Sequence, residues 1–460
     1  MTDSASPAPA PVKPKKPLWR RLLKWTLRVV ILLVVLGLAA YAGVTYWAAK
    51  TINAEIARIR AAGEPLTFAD LGQLTPQVAD RAQDAGPYYA AACELVQSEF
   101  DADDANHEAF YGPRAVVPVP PEILARAHRD LDQNRIPLEL LDRGSALPGC
   151  SWDIQLEYGL AVSFTHFGKP RALLNSASLR TRVLAVEGHG DQAVDSVISS
   201  LGLPRMMERQ PVLIDALVQI AMFARACTDA AIAMDTGHPS EAALGKLNDA
   251  LRQAHFIEPR RMLLAERVYY LETMRYLIAD SRQPAPDGSD GPAIPERDSW
   301  THLGLVGRVW VAQGLPTYAR YVTAASGDWP AIMTNMQHVT DTPANIWDKV
   351  SGLSFNGPMV TYARGISIYR STLIALQIER FRRAHNGALP DSLDQLPGAS
   401  DLPMDPFTGK PFLFVKVADG YCVFSAGRGN PQDDSRHIDR DQDPVAWSQR
   451  WGAHIRTTTP

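Results

Sequence analysis

Residues 29–49, VVILLVVLGLAAYAGVTYWAA, run without one charged side chain. No other stretch limits so strongly what this chain can fold into. At about 1.5 Å rise per residue a helix of that length crosses a hydrocarbon core of about 30 Å, which a buried helix of a soluble core rarely needs to do. Trp25 on one side and Tyr46 with Trp47 on the other stand where interfacial aromatic anchors belong. Lys13, Lys15, Lys16, Arg20, Arg21, Lys24 and Arg28 precede the run against the single acid Asp3. Loop charge sets orientation, so residues 1–28, with their proline- and alanine-rich start, are expected in the cytoplasm and residues from about 50 onward outside. A cleaved signal peptide is the rival reading, because Ala40-Tyr41-Ala42 has a peptidase-like form. The apolar run continues past it to Ala49, which favours a retained anchor in the plasma (inner) membrane. Either way the bulk of the chain is exported to an extracytoplasmic, periplasmic location.

That orientation governs the charges. The whole chain carries a formal −4, and the first 28 residues contribute +6, leaving about −10 outside. An acidic exported domain lacks the clustered basic surface that nucleic-acid binding needs. Cys93, Cys150, Cys227 and Cys422 all lie in the exported part. An oxidising compartment permits disulfides among them in any of three pairings; buried free thiols are the equal alternative, and the wide spacing excludes a compact zinc motif.

Apolar content of 46% gives a real core, while 35 prolines break it into many short elements. Residues 50–385 read as a helical body, with residues 51–60 continuing the membrane helix outward as a polar stalk. Segments 171–187, 191–208, 212–235 and 240–255 are helical stretches separated by short turns, the pattern of antiparallel helical hairpins. A further helix is expected over 259–280, a Pro-, Gly- and Asp-rich linker over 283–297, and a strongly periodic helix over 359–385; the apolar, aromatic and broken stretch 300–357 is unassigned, its tyrosines and tryptophans over 300–347 being more often core than the lining of a groove. The turn Leu184-Ala-Val-Glu-Gly-His-Gly-Asp191 resembles that of a tetratricopeptide-type hairpin, without a second copy at a period of about 34 residues.

Residues 386–460 change character. Asn386-Gly387 ends the long helix, 405–409 is a turn, and two strands, 412–418 and 421–426, flank Asp419-Gly420, the pair that a type I′ hairpin prefers. Pairing Ala418 with Tyr421 puts Leu413, Val415, Val417, Cys422, Phe424 and Ala426 on one apolar face. The expected fold is therefore mainly α: a single transmembrane helix, an irregular helical-hairpin, solenoid-like extracytoplasmic body, and a small α+β C-terminal module with a β-hairpin.

Within residues 373–434, a long helix followed by NGALPDSLDQL, DPFTGKPFLF, GYCVFSAGRG and Asp433-Asp434 resembles the C-terminal module of the major pseudopilins of type II secretion. The whole chain is similar to exported, membrane-anchored bacterial proteins of unknown function. Pseudopilins carry a cleavable glycine leader and a glutamate five residues into the membrane helix, and neither precedes Val29 here. The resemblance implies calcium held by acids after the hairpin, which makes Asp433, Asp434 and Asp439 the candidate metal ligands. Hard carboxylate oxygens suit Ca²⁺, yet an EF-hand loop from Asp439 fails, with Pro444 at its glycine position and Arg450 at its glutamate position. A solvated acidic tail is the competing reading.

No catalytic motif is legible: there is no G-x-S-x-G, S-x-x-K, H-E-x-x-H, Walker A or G-x-G-x-x-G. Glu187, His189 and Asp191 form the tightest histidine and acid group, on a turn where capping explains them. The expectation is a membrane-anchored interaction or scaffold protein of the cell envelope, connected with secretion or pilus-like assembly. The alternative is an exported hydrolase whose site assembles from distant residues. Buried carboxylates in a pocket would favour the hydrolase.

Overall fold

A computed structural model describes residues 18–73, 78–97, 119–152, 168–208, 212–278, 304–427 and 443–457. The described residues are mainly helical, with one small antiparallel sheet close to the C terminus.

Helix α1 (Leu18–Ala61) is unbroken for 44 residues, about 66 Å at the standard rise. Its first part is long and apolar enough to cross a membrane, with a mean hydropathy of 2.4 and none of that window buried. Its last part does something else. Ala48, Ile52, Ile56 and Ile59 recur at helical spacing and are buried in the main core, against α11 (Leu305–Ala324). The expectation of a polar stalk over 51–60 is thus corrected: only the outward face is polar, and the inward isoleucines make this turn of helix part of the body. Gly63, at φ +64°, ends α1 with Glu64 N–H donating to the Ile59 carbonyl (3.1 Å), a closure that favours glycine. Glu64 is then gripped by Arg267 (2.6 Å) and Arg260 (2.7 Å) of α10 (Pro259–Ile278).

Short elements follow α1: α2 (Phe68–Gln73), α3 (Gly86–Leu95), α4 (Pro121–Gln133) and α5 (Arg135–Ser145). The hairpins expected from the sequence are α6 (Gly168–Val186), α7 (Gly190–Gly202), α8 (Leu213–Thr236) and α9 (Glu241–Arg252), with a short 3-10 helix over Leu203–Met207 ending the second stretch. The turn between α6 and α7 closes through Gly188 at φ +78°, and Gly190 lies so close to the α8–α9 turn that a Cβ there would come within 2.1 Å of the Gly237 carbonyl oxygen. Helix α8 also has membrane-like length and hydropathy, yet 61% of its apolar window is buried. It is the central core helix, packed by α6, α7 and α14 (Asn356–Ala384). Gly365 of α14 permits that approach: a Cβ would meet Ile220 at 2.1 Å. The unassigned stretch resolves into α11, α12 (Trp329–Asp341) and α13 (Ile346–Ser351), whose Asn345 and Asp328 side chains cap the following helices.

The sheet has order β1-β2-β3, with β1 (Leu413–Val417), β2 (Gly420–Phe424) and β3 (Gly452–Arg456) all antiparallel. The hairpin forms one position earlier than expected, pairing Val417 with Gly420 across Ala418-Asp419. Neither turn residue has positive φ, so the type I′ turn is not made. Gly420 is instead a strand residue: a Cβ there would stand 2.0 Å from the Ile455 carbonyl oxygen of β3. The slip moves both strands together and keeps the parity of the faces. Val415, Val417, Cys422 and Phe424 still share a face, covered by Trp447 and Trp451 of α15 (Pro444–Trp451). The other face, with Tyr421, Val423 and Ile455, joins the main core against α14, so the central strand β2 is buried on both sides. All four cysteines are free thiols.

Candidate functional site

The DPFTG segment folds around one carboxylate. Asp405, 1% exposed, accepts from Phe407 N–H (3.0 Å) and Thr408 Oγ1 (3.0 Å) within its turn, and from Ser425 Oγ (2.7 Å) and Ala426 N–H (3.1 Å) at the end of β2. Gly409, at φ +67°, supplies the left-handed position, and its N–H donates to the Asp405 carbonyl (2.8 Å). The turn is thereby pinned to the sheet. It is also joined to the body, because Arg370 Nη1 on α14 donates to the Met404 carbonyl (2.7 Å).

This turn forms one wall of an open cleft of about 750 Å³, opposite the start of α10 and the α11–α12 junction. Its polar lining includes Glu258, Arg260, Asp328 and Arg370, and Trp329 gives a flat wall held by stacking on Tyr362 (ring centroids 5.9 Å apart). Burial lowers the Arg370 pKa, while the neighbouring Asp405 carboxylate opposes the shift. The volume lies in the range of small-ligand sites. Arg260 is already paired with Glu64, and Glu258 and Asp328 share the lining, so the cleft presents mixed charge beside an aromatic face.

A second polar group lies inside the body, between the start of α8 and α10. Asp215 is 1% exposed, and burial holds its carboxyl well above the usual range, with Glu266 raising it further. Burial pushes Glu266 up to about 6, although it accepts the Leu213 N–H at 2.7 Å. Glu208 is pushed by burial up to about 7 against the lowering effect of Arg205 and Arg261. Glu208 Oε1 and Asp215 Oδ2 are buried without a hydrogen-bond partner among the described residues. None of the three carboxylates lines the cleft.

The histidine and acid group expected on the α6–α7 turn does not converge. Glu187 pairs with His128 Nε2 (2.8 Å), Asp191 accepts from Ser240 Oγ (2.8 Å), and His189 is exposed at the start of α7. Asp433, Asp434 and Asp439 lie outside the described residues. Among the described residues no cluster of three or more His, Cys, Asp or Glu side chains is placed to hold a metal ion. Sequence reasoning missed Asp405 as a hub, although the DP-x-x-G spacing carried the signal. It also missed the carboxylates at 208, 215 and 266, which only tertiary packing brings near one another. No protein family, curated protein or solved structure matches this chain.

Proposed function

We propose that this chain is a membrane-anchored extracytoplasmic interaction protein of the cell envelope, which holds a ligand or partner segment in the cleft beside the Asp405 turn. The observation that carries this reading is α1, a single helix whose apolar surface is bare in its first part and core-packed in its last. A helix built that way fixes a body at a set height and orientation over a bilayer, which suits a scaffold. The positive-inside charge pattern of residues 1–28 supports a periplasmic body. The resemblance of residues 373–434 to pseudopilins supports a link to secretion or pilus-like assembly, and hairpins such as α6–α7 support a solenoid-like description of the body. Calcium at Asp433, Asp434 and Asp439 belongs to the same proposal and is tested by the melting temperature with Ca²⁺ and with chelator.

The test of the main reading is labelling of single cysteines by a membrane-impermeant maleimide in cells with a permeabilised outer envelope. Glu122→Cys is expected to react before lysis and Asp3→Cys only after it; the reverse order overturns the reading. A hydrolase is the second reading, favoured by Glu208, Asp215 and Glu266, whose raised pKa values are of the kind acid–base chemistry uses. Hydrolytic turnover that Glu208→Gln abolishes would establish it, and turnover unchanged in that variant would remove it.

A further inference from the structure

Helices α1 and α11 run side by side and in the same direction. The start of α10 lies by the end of α11, since Pro259, Arg260, Ala325 and Ser326 line one cleft, while Tyr270 further along α10 packs on Gly314 and donates to the Trp310 carbonyl (3.0 Å). Arg260 and Arg267 hold Glu64, just past the end of α1. The end of α1 therefore lies level with the end of α11, and the start of α11 lies level with the stretch of α1 around Ala48. Thr45, inside the uncharged 29–49 run, is already half covered.

At this end the body is apolar and bare. Val306 is 72% exposed and Trp310 41%, and further along α11, on α13, stand Ile346 at 74% and Val350 at 73%. Helix α13 is held against the middle of α11: the Trp347 ring meets Trp310 edge-on, the Trp347 backbone N–H donates to Gln313 Oε1 (3.0 Å), and Asp348 accepts from Thr317 and pairs with Arg320 (3.3 Å). Lys349 is exposed between the two aliphatic residues. We propose that this rim, Val306 and Trp310, inserts into the headgroup–acyl boundary of the outer leaflet of the bilayer that α1 spans, with Ile346 and Val350 above it facing the headgroups. The inference rests on α1 being a membrane anchor. A tryptophan flanked by aliphatics and a lysine is the composition that such a boundary takes up. The alignment of α1 with α11 puts Val306 near the height of Tyr46 and Trp47, whose rings are also exposed. The second contact stops the body from pivoting about α1.

The test uses the full chain in phosphatidylcholine–phosphatidylglycerol vesicles, with an environment-sensitive fluorophore on single introduced cysteines and quenching by spin-labelled lipid. The native thiols do not compete, since Cys93, Cys227 and Cys422 are buried and burial pushes Cys150 up to about 12. The positions are Val34→Cys in the anchor, Val306→Cys and Val350→Cys on the rim, and Ser326→Cys, about 30 Å from Val306 along α11. The expected result is strong quenching at 34, clear quenching with a blue shift at 306 and less at 350, and none at 326. Quenching at 34 with 306 and 350 behaving like 326 overturns the proposal and leaves the anchor standing. A blue shift at 306 without lipid quenching means that protein, such as a second copy, covers the rim, and also overturns it. No quenching at 34 removes the anchor itself and the proposal with it.

Discussion

Asp215 and Glu266 illustrate what burial does to single side chains here. A carboxylate taken out of water keeps its proton longer, so the folded pKa exceeds the unfolded one. The sign of the consequence follows. The folded state binds protons that the unfolded state has lost, so stability is greatest below the unfolded value and falls as pH rises through the folded one. For Glu266 that window runs from the ordinary value 4.5 to about 6, and for Glu208 from 4.5 to about 7. The melting temperature is therefore expected to fall between pH 5 and pH 8, and Asp215→Asn, which removes a buried charge, is expected to flatten the decline; an unchanged slope would contradict this account. Asp405 matters for its hydrogen bonds, a buried side chain whose oxygens meet four donors. Asp405→Ala would strand the Ser425 hydroxyl and free the turn, at a cost of about 3 kcal/mol in denaturant unfolding. The same change is expected to open the cleft wall. Arg182 and Asp229, paired at 3.0 Å with 0% and 1% exposure, make a third buried unit. Asp229→Ala should cost about 3–5 kcal/mol, because it leaves a guanidinium buried without its countercharge.

At the scale of elements, what the sequence revealed depended on whether the signal was local. The hairpins α6–α9 were legible because apolar periodicity and glycine turns both act within a few residues, and the end of α14 at Asn386-Gly387 was legible for the same reason. The β1–β2 register was read one position late because Gly420 looked like a turn residue. Its real constraint is the backbone of β3, which comes from residues 452–456, and no local pattern reports that. Strand β3 itself was hidden because it is short and follows α15 with no intervening turn. The last turns of α1 misled for a different reason: Arg58 and Arg60 suggested a solvated stalk, while Ile52, Ile56 and Ile59 turn the opposite face into the core. Ile59→Asp is accordingly expected to destabilise the body by about 4 kcal/mol or more, whereas Ala57→Asp on the exposed face should change stability by less than about 0.5 kcal/mol. Equal, small effects at both positions would restore the stalk. Gly190→Val should force the two hairpin turns apart, since its side chain would enter the Gly237 carbonyl, and lower the melting temperature by several degrees for a loss of about 1–3 kcal/mol.

The whole molecule is organised about the joint between an apolar helix and a helical body. The sequence announced the helix through its uncharged run, but not that the same helix is a core element, because burial against α11 is a long-range contact. Neither the cleft nor the carboxylate group could be read in advance, since each gathers residues more than fifty positions apart. The cleft lies at the end of α11 and the exposed Val306 at its start, so the proposed ligand contact and the proposed membrane contact fall at opposite ends of one bundle. The measurement that tests this joint most directly is hydrogen–deuterium exchange on the full chain in lipid nanodiscs. The account predicts that amides of residues 48–61 exchange as slowly as those of α8, in one cooperative unit with the body, while residues 29–47 are protected by lipid. Fast exchange over 48–61 beside a slowly exchanging body would mean a flexible tether, and would contradict the claim that the anchor and the body are one structure.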